Sequence, residues 1–428
     1  MRIKIIISIS LFFWVSNIKA IDYVENFTDK ACRVDFHLAG NATTTSAHID
    51  RIKEEPFWGG RKSNLTTFLN LGEYRFQLTD SITGNLIYTN GFSSLFYEWQ
   101  TTAEAKHIPK SFEQSIQFPF PKNSVKLNID KRIGFETWET LISFYFSPND
   151  KLIARSSVPK TLVREILRST SSEKAVDIAV IAEGYRDTEQ EKFFADAQNL
   201  AESLFTHEPF TRNKSKINIY AIAAISVDSG VSKPQDNKWK NTVIGSHFYT
   251  FYEPRYLTSS NVFTICDYAA LVPYDAIYIL ANTPSYGGGG IYNFYAFASA
   301  DSKRAKSEVI VHELGHSFAG LGDEYFYDKK NALDEMYNIS EEPWEPNLTS
   351  LIHFETKWKN DLPKDAIVPT PLTEENKKLR VGVFEGGAYL SKGIYRPAFD
   401  CRMRTNEAKA FCPVCEKAVE NMILYLTE

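Results

Sequence analysis

Short segments in which apolar and polar residues alternate fill the first third of the chain. Turn residues such as Thr83-Gly84-Asn85 separate these segments, and the clearest of them are residues 33–38, 74–78, 115–118 and 141–146. A period of two residues predicts antiparallel strands with one face toward water. We therefore predict an N-terminal β-sandwich domain over residues 21–150, about 125 residues long.

The pattern changes after residues 147–150, which are predicted to be a linker. Continuous apolar runs at residues 176–181, 217–225 and 275–280 are typical of buried strands. Strands that alternate with helices predict an α/β catalytic domain over residues 151–428.

One helix of this second domain is predicted from apolar residues that recur at helical spacing between Phe194 and Phe205. Thr188 and Glu191, just before them, are a candidate capping box for its first turn.

The first twenty residues have the pattern of a secretory signal peptide. Arg2 and Lys4 precede an apolar run over residues 5–15, and the segment ends in the small residue Ala20. The run is too short to span a bilayer, and no later segment is apolar for long enough to do so. We therefore expect an exported protein that is secreted, periplasmic or attached to the cell surface, without a membrane span.

Composition narrows the class of partner. The chain has 428 residues, 43% of them hydrophobic, and its 48 basic and 53 acidic residues are well mixed, with a net charge of −5. Because no basic stripe is present, nucleic acid is not expected as a partner. Two folded domains with a protein or peptide substrate fit this balance better.

Candidate chemistry is concentrated in VIVHELGHSFAGLGDEYF, residues 309–326. On a helix, His312 and His316 stack on one face and can bind one zinc ion, while Glu313 is offset beside the attacking water. Ile310, Leu314 and Phe318 form an apolar stripe, Ser302 is a candidate N-cap, and Gly320 and Gly322 end the helix. The alternative is that His312, Glu313 and His316 form the solvent-exposed edge of a helix and bind no ion. That alternative does not explain why these three polar residues interrupt an apolar stretch.

A catalytic zinc site needs a third protein ligand and an open position. Asp323 is favoured, because a chain reversed by the glycines could return its carboxylate to the ion. Glu324 is the rival, and Glu341 or Glu342 would be supplied by a later segment rich in Pro and Asn.

The five cysteines are an odd number for an exported chain. A disulfide between Cys401 and either Cys412 or Cys415 is expected in an oxidising compartment. A redox role or a structural metal at Cys412-Pro413-Val414-Cys415 is disfavoured, since no thioredoxin-like unit and no fourth ligand are evident.

Residues 312–325 resemble the signature of the IgA-peptidase family of bacterial secreted zinc metallopeptidases. The resemblance extends to residues 92–102, in the N-terminal β-sandwich, and to residues 395–397, 401–404 and 411–415. It implies a metzincin-like peptidase fold, with Asp323 as third ligand and Met403 in a turn beneath the zinc. Gly320 and Asp323 come one residue later than the metzincin pattern places them.

The sequence thus predicts an exported zinc endopeptidase with Glu313 as general base, acting on extracellular proteins such as host immunoglobulin or glycoproteins. The alternative is a catalytically inert surface protein that binds glycan or protein through its β-sandwich.

The four glycines at residues 287–290 have two interpretations. They form a mobile loop, or they allow close backbone approach and are followed by an exposed strand edge at residues 291–298, to which a peptide could add as a further strand.

Overall fold

The computed structural model describes residues 21–155, 158–302, 306–327 and 336–428. The predicted signal peptide lies outside these residues. The strands in chain order are β1 (Phe27–Gly40), β2 (Thr45–Glu55), β3 (Tyr74–Asp80), β4 (Leu86–Phe92), β5 (Lys110–Pro121), β6 (Val125–Gly134), β7 (Thr137–Phe146), β8 (Val163–Leu167), β9 (Val176–Glu183), β10 (Ile217–Ile222), β11 (Ala276–Ala281), β12 (Gly288–Ile291), β13 (Tyr295–Ser299), β14 (Phe384–Gly387) and β15 (Leu390–Arg396). The α-helices are α1 (Tyr23–Asn26), α2 (Leu95–Gln100), α3 (Gln190–Leu204), α4 (Val262–Ala269), α5 (Lys306–Ala319) and α6 (Pro413–Thr427).

Two antiparallel sheets form a β-rich N-terminal region, with strand orders β2-β1-β5 and β4-β3-β6-β7. The alternation in the sequence explains how they pack, since Tyr74, Phe76 and Leu78 of β3 are buried while the residues between them are partly exposed. Phe76 meets Phe118 of the other sheet with ring centroids 5.9 Å apart. The two sheets therefore share one hydrophobic core, as in a sandwich.

A six-stranded sheet, ordered β12-β13-β11-β9-β10-β8, organises the rest of the chain. Strands β9, β10, β11 and β13 run parallel, and β8 and β12 pair antiparallel at the two edges. Every residue of β9, β10 and β11 is buried, which explains their continuous apolar sequences. The chain is thus a mixed α/β protein with a β-rich N-terminal part.

Helix α3 follows β9 as predicted, but its start differs from the expectation. The predicted capping box of Thr188 and Glu191 is wrong, because the Glu189 carboxylate accepts a hydrogen bond from the Arg186 backbone N–H at 2.9 Å instead. A 3₁₀ turn over Asp187–Glu189 precedes the helix. The first helical turn therefore begins about one residue away from where the sequence signals place it.

The β-rich region packs directly against the mixed sheet and its helices. The buried guanidinium of Arg33 pairs with Glu55 at 2.7 Å and with Asp267 of α4 at 2.6 Å. Backbone contacts add to this, since the Ser93 N–H donates to the Tyr292 carbonyl at 3.0 Å. These contacts fix the N-terminal region against α4 and against the residue that follows β12.

Within the residues that the structure describes, no helix combines the length and apolar character needed to cross a membrane.

Candidate metal centre and catalytic cleft

Helix α5 carries the candidate ligands on one face and its hydrophobic contacts on the other. Ile310, Leu314 and Phe318 are buried, as their spacing predicts. Gly320 adopts φ +64°, a conformation that favours glycine, and its N–H donates to the His316 carbonyl at 3.0 Å. The helix therefore ends where predicted. The cap by Ser302 stays a prediction, because residues 303–305 lie outside the described residues.

Three candidate ligand atoms from His312, His316 and Asp323 converge in front of this helix. The two Nε2 atoms are 3.0 Å apart, and Asp323 Oδ1 lies 3.1 Å from His312 Nε2 and 3.4 Å from His316 Nε2. Ligands of a tetrahedral zinc ion at 2.0–2.2 Å stand about 3.3 Å from one another. The three atoms therefore have the separation that a shared metal ion requires.

Backbone carbonyls orient both imidazoles. His312 Nδ1 lies 3.0 Å from the Arg402 carbonyl and His316 Nδ1 lies 2.5 Å from the Leu321 carbonyl. A carbonyl only accepts hydrogen bonds, so each Nδ1 carries a proton, and in the neutral imidazole each Nε2 then presents a lone pair. Both rings are thus held in the tautomer that binds a metal through Nε2.

Asp323 Oδ1 is a buried atom without a hydrogen-bond donor among the described residues. Although it lies within ion-pair distance of both imidazoles, their Nε2 atoms are acceptors in this tautomer and cannot satisfy it. A buried carboxylate oxygen that faces two imidazole lone pairs is costly without a cation. This orphaned oxygen fits a bound metal.

Glu313 lies beside the histidines, and its carboxylate and the two imidazoles each offer an atom within 4.8 Å of the others. Burial raises the pKa of Glu313, and the neighbouring His312 and His316 act in the opposite direction. Its Oε1 lies 2.6 Å from where a Cβ on Gly288 would stand, so the carboxylate faces strand β12 across the cleft.

The other candidates for third ligand lie elsewhere. Glu324 points away from the histidines toward three cysteines. The Glu342 carboxylate accepts hydrogen bonds from Ser350 Oγ and from nearby backbone N–H groups, and thereby anchors a loop. Glu341 is exposed to solvent. Asp323 is the one of these carboxylates that the structure brings to the imidazoles.

Met403 is fully buried in a tight turn directly beneath α5. Its Sδ lies 2.8 Å from the position of a Cβ on Gly315, so glycine there lets the thioether reach the helix backbone. The preceding residue, Arg402, supplies the carbonyl that orients His312. The turn over residues 401–404 therefore supports the candidate metal centre from below.

The expected disulfide is not present, since all five cysteines are free and buried. The expectation that no fourth group joins Cys401, Cys412 and Cys415 is also wrong. Glu324 meets their sulfur atoms, with all four candidate ligand atoms within 4.8 Å of one another.

A cleft of about 790 Å³ opens in front of His312 and Glu313. Its lining includes Glu98, Thr101 and Thr102 of the N-terminal region, together with Arg402 and residues 404–407. The Tyr256 hydroxyl donates to the Glu98 carboxylate, whose pKa burial raises to about 8. The β-rich region thus contributes part of the cleft wall.

The glycine run takes a form different from both sequence interpretations. Three of its glycines, residues 288–290, belong to the edge strand β12, while residues 295–299 form β13, which is enclosed between β12 and β11. The outer side of β12 is partly paired, because the Leu257 N–H donates to the Gly288 carbonyl at 3.0 Å. The exposed strand edge predicted at residues 291–298 is therefore wrong.

Tyr389 is a residue of this site that no sequence pattern indicated. Its hydroxyl donates to Asp323 Oδ2 at 2.7 Å. Tyr389 lies in the turn between β14 and β15, far along the chain from Asp323, so no spacing rule connects the two residues. Glu98 and Tyr256 were missed for the same reason.

Tyr389 gives a first test of the site. Replacing it with phenylalanine removes the hydroxyl that fixes the Asp323 carboxylate, and we expect metal affinity or turnover to fall about 10–100-fold. Metal titration of the chelator-treated protein measures the affinity. The matched control is Tyr145→Phe, on the exposed face of β7, which should change neither quantity. Equal behaviour of the two variants would contradict the role given to Tyr389.

Gly290 gives a second test, of the contact between β12 and α5. A Cβ at this position would stand 2.4 Å from the Glu313 carbonyl oxygen and 2.8 Å from His316 Cβ. Gly290→Ala must therefore push the helix from the strand, and we expect a loss of about 1–3 kcal/mol in the free energy of unfolding. Urea unfolding measures it. Gly134→Ala is the control, since its nearest neighbour would lie at 3.5 Å, and similar stability of the two variants would refute the close approach.

Comparison with family models identifies the class of protein. A family model described as IgA peptidase M64 matches residues 164–380 and 372–423, and a model described as the peptidase M64 N-terminus matches residues 22–141. No curated protein matches the chain. These matches define the chain as a peptidase. It belongs to the IgA peptidase M64 family. The family implies a metallopeptidase, and two clusters of side chains in the described residues could hold a metal ion.

Proposed function

We propose that the chain is a zinc-dependent endopeptidase in which His312, His316 and Asp323 hold the ion. The observation that carries the proposal is the triangle of Nε2, Nε2 and Oδ1 atoms, 3.0–3.4 Å on each side, around an otherwise unpaired carboxylate oxygen. Two imidazoles and one carboxylate leave a fourth position free in a tetrahedral shell, as catalytic zinc sites do. The mixed nitrogen and oxygen donors favour zinc over magnesium or calcium.

When bound, zinc would supply Lewis acidity toward water and toward the scissile carbonyl. Glu313 takes the proton of the attacking water as general base and delivers it to the leaving amine as general acid. Its burial supports this role, because a raised pKa brings the carboxylate closer to the pH at which it can both accept and donate. Nδ1–H contacts to the Arg402 and Leu321 carbonyls keep the imidazoles fixed during this exchange.

We further propose that the catalytic part, residues 151–428, is metzincin-like and the preceding part, residues 21–150, is a β-sandwich domain. The buried Met403 and its turn beneath α5 support the first of these assignments. The methionine is a packing residue, since its thioether contacts the helix at Gly315 rather than the reacting groups.

The proposed substrates are extracellular proteins, such as host immunoglobulin or glycoproteins, and the proposed location is outside the cytoplasm. The basic and apolar pattern of residues 1–20 supports export. The cleft, which is open and lined by two parts of the chain, supports a polypeptide rather than a small molecule as substrate.

Cleavage of casein by the purified protein, with zinc content measured on the same sample, tests this proposal. We expect zinc in the protein and internal cleavage products by mass spectrometry. A zinc-free protein that leaves casein intact would overturn the proposal and favour the alternative, an inert protein that binds through its β-rich region.

A further inference from the structure

A second cluster of metal-ligating side chains lies behind the candidate catalytic centre. Glu324, Cys401 and Cys415 are fully buried, and Cys412 is 5% exposed. Their four candidate ligand atoms lie within 4.8 Å of one another. Sulfur atoms bound to one zinc at 2.3 Å stand about 3.8 Å apart, so the cluster needs only a small contraction to take an ion.

The polar contacts inside the cluster are incomplete without a cation. Glu324 Oε1 receives hydrogen bonds from Asn347 Nδ2 and Cys415 Sγ, each at 3.0 Å. Glu324 Oε2 is buried and has no partner among the described residues. These two hydrogen bonds satisfy one carboxyl oxygen and leave the desolvation of the other uncompensated, whereas a metal ion would supply the missing contact.

The backbone around the cluster favours thiolates. The Cys412 N–H donates to Cys401 Sγ at 3.1 Å. Cys412 is the N-cap of α6 and Cys415 lies in its first turn, where the positive end of the helix dipole lowers the cost of negative charge. On binding, the thiol protons pass to solvent as sulfur–metal bonds form.

A disulfide explains the cluster less well. A disulfide between any two of the three sulfurs, at 2.03–2.05 Å, would leave Glu324 Oε2 buried and still without a partner among the described residues. The structure instead places all four groups around a common point.

We propose that Glu324, Cys401, Cys412 and Cys415 form a structural site for zinc. Four protein ligands close the coordination shell, and three thiolates select a thiophilic ion over magnesium or calcium. The site goes beyond the proposed peptidase function, because it contains no open position for water or substrate.

The location of the site indicates which segments a bound ion would hold together. Glu324 is adjacent to Asp323, and its N–H donates to the Met403 carbonyl at 2.9 Å. Cys401 begins the turn whose Arg402 carbonyl orients His312. A zinc ion here would tie the Asp323 segment, this turn and the start of α6 together, and so hold two of the candidate catalytic ligands in place.

The experiment is metal analysis of the whole chain in wild-type form and in two double variants. We expect about two zinc ions per wild-type chain and about one in His312→Ala/His316→Ala. The ion that remains in this variant should be released only when a mercurial reagent reacts with the thiols. Cys412→Ser/Cys415→Ser should lose that ion and unfold at a lower temperature. Cys32→Ser/Cys266→Ser, which changes the two buried cysteines outside the cluster, should keep it.

Cobalt substitution keeps the proposal testable if the cysteine variant does not fold. Cobalt bound to His312→Ala/His316→Ala should give the near-ultraviolet charge-transfer absorption of cobalt thiolates. Absence of that band and of zinc from this variant would overturn the proposal, as would a disulfide within the cluster found by mass spectrometry without reductant. A wild-type chain with a single ion that the histidine variant loses would refute this site and support the catalytic one. A wild-type chain with a single ion that the histidine variant keeps would support the cysteine site and refute the catalytic one.

Discussion

Replacing Glu313 with glutamine should abolish peptide hydrolysis while leaving the fold and the metal content unchanged. Glutamine keeps the size of the side chain and its place opposite Gly288, but it cannot take a proton from water. A positioned general base contributes about 10²–10⁴-fold to rate, so we expect kcat to fall by about that factor. Initial rates on a quenched fluorescent peptide measure the loss.

The control for this variant is Glu202→Gln, on the exposed side of α3, which should retain full activity. Zinc analysis and circular dichroism of Glu313→Gln establish that the metal and the fold remain. Hydrolysis by Glu313→Gln within a few fold of wild type would refute the assignment of Glu313 as general base.

Removing the metal should have an effect of similar size. A chelator that takes the ion from His312, His316 and Asp323 leaves Asp323 Oδ1 buried against two imidazole lone pairs. We expect activity to fall to background, and the thermal unfolding temperature to fall as well, because an ion that binds only the folded state stabilises it. Rates and unfolding temperatures at increasing chelator concentration measure both effects.

Zinc returned to the chelated protein should restore hydrolysis, and magnesium should not. Persistent hydrolysis in a sample shown by elemental analysis to be free of metal would contradict the metal-dependent mechanism. The buried cysteine cluster should release its ion more slowly than the open cleft, so the loss of activity should precede the larger loss of stability.

Local periodicity explains why much of α5 and its two histidines could be predicted. His312 and His316 are separated by one turn of an amphipathic helix, and Gly320 ends that helix at a positive φ. Asp323 follows closely enough that the reversal at the glycines returns it to the same face. These relations lie within one short stretch of chain, where spacing determines geometry.

Contacts between distant segments could not be predicted in this way. Tyr389, in the β14–β15 turn, contacts Asp323. The next residue, Glu324, points the other way and lies against Cys401 and Cys415. A single sequence records neither pairing, because both depend on how the sheet and the C-terminal part pack. Glu324 was missed as the fourth group of the cysteine cluster for that reason.

The order of the strands in the sheet could not be predicted from the sequence either. An exposed strand edge was predicted at residues 291–298, but Tyr295–Ser299 form an interior strand and Gly288–Ile291 form the edge strand, because strand order depends on long-range register. Positions 288 and 290 of the edge strand are occupied by glycine because α5 approaches them too closely for a side chain. That constraint is visible only once the helix is in place.

Anomalous diffraction from crystals of the wild-type protein, recorded at the zinc absorption edge, tests the central claim most directly. We predict a peak about 2.0–2.2 Å from His312 Nε2, His316 Nε2 and Asp323 Oδ1, next to Glu313. A map without density between those three atoms, from crystals grown with zinc, would contradict the account.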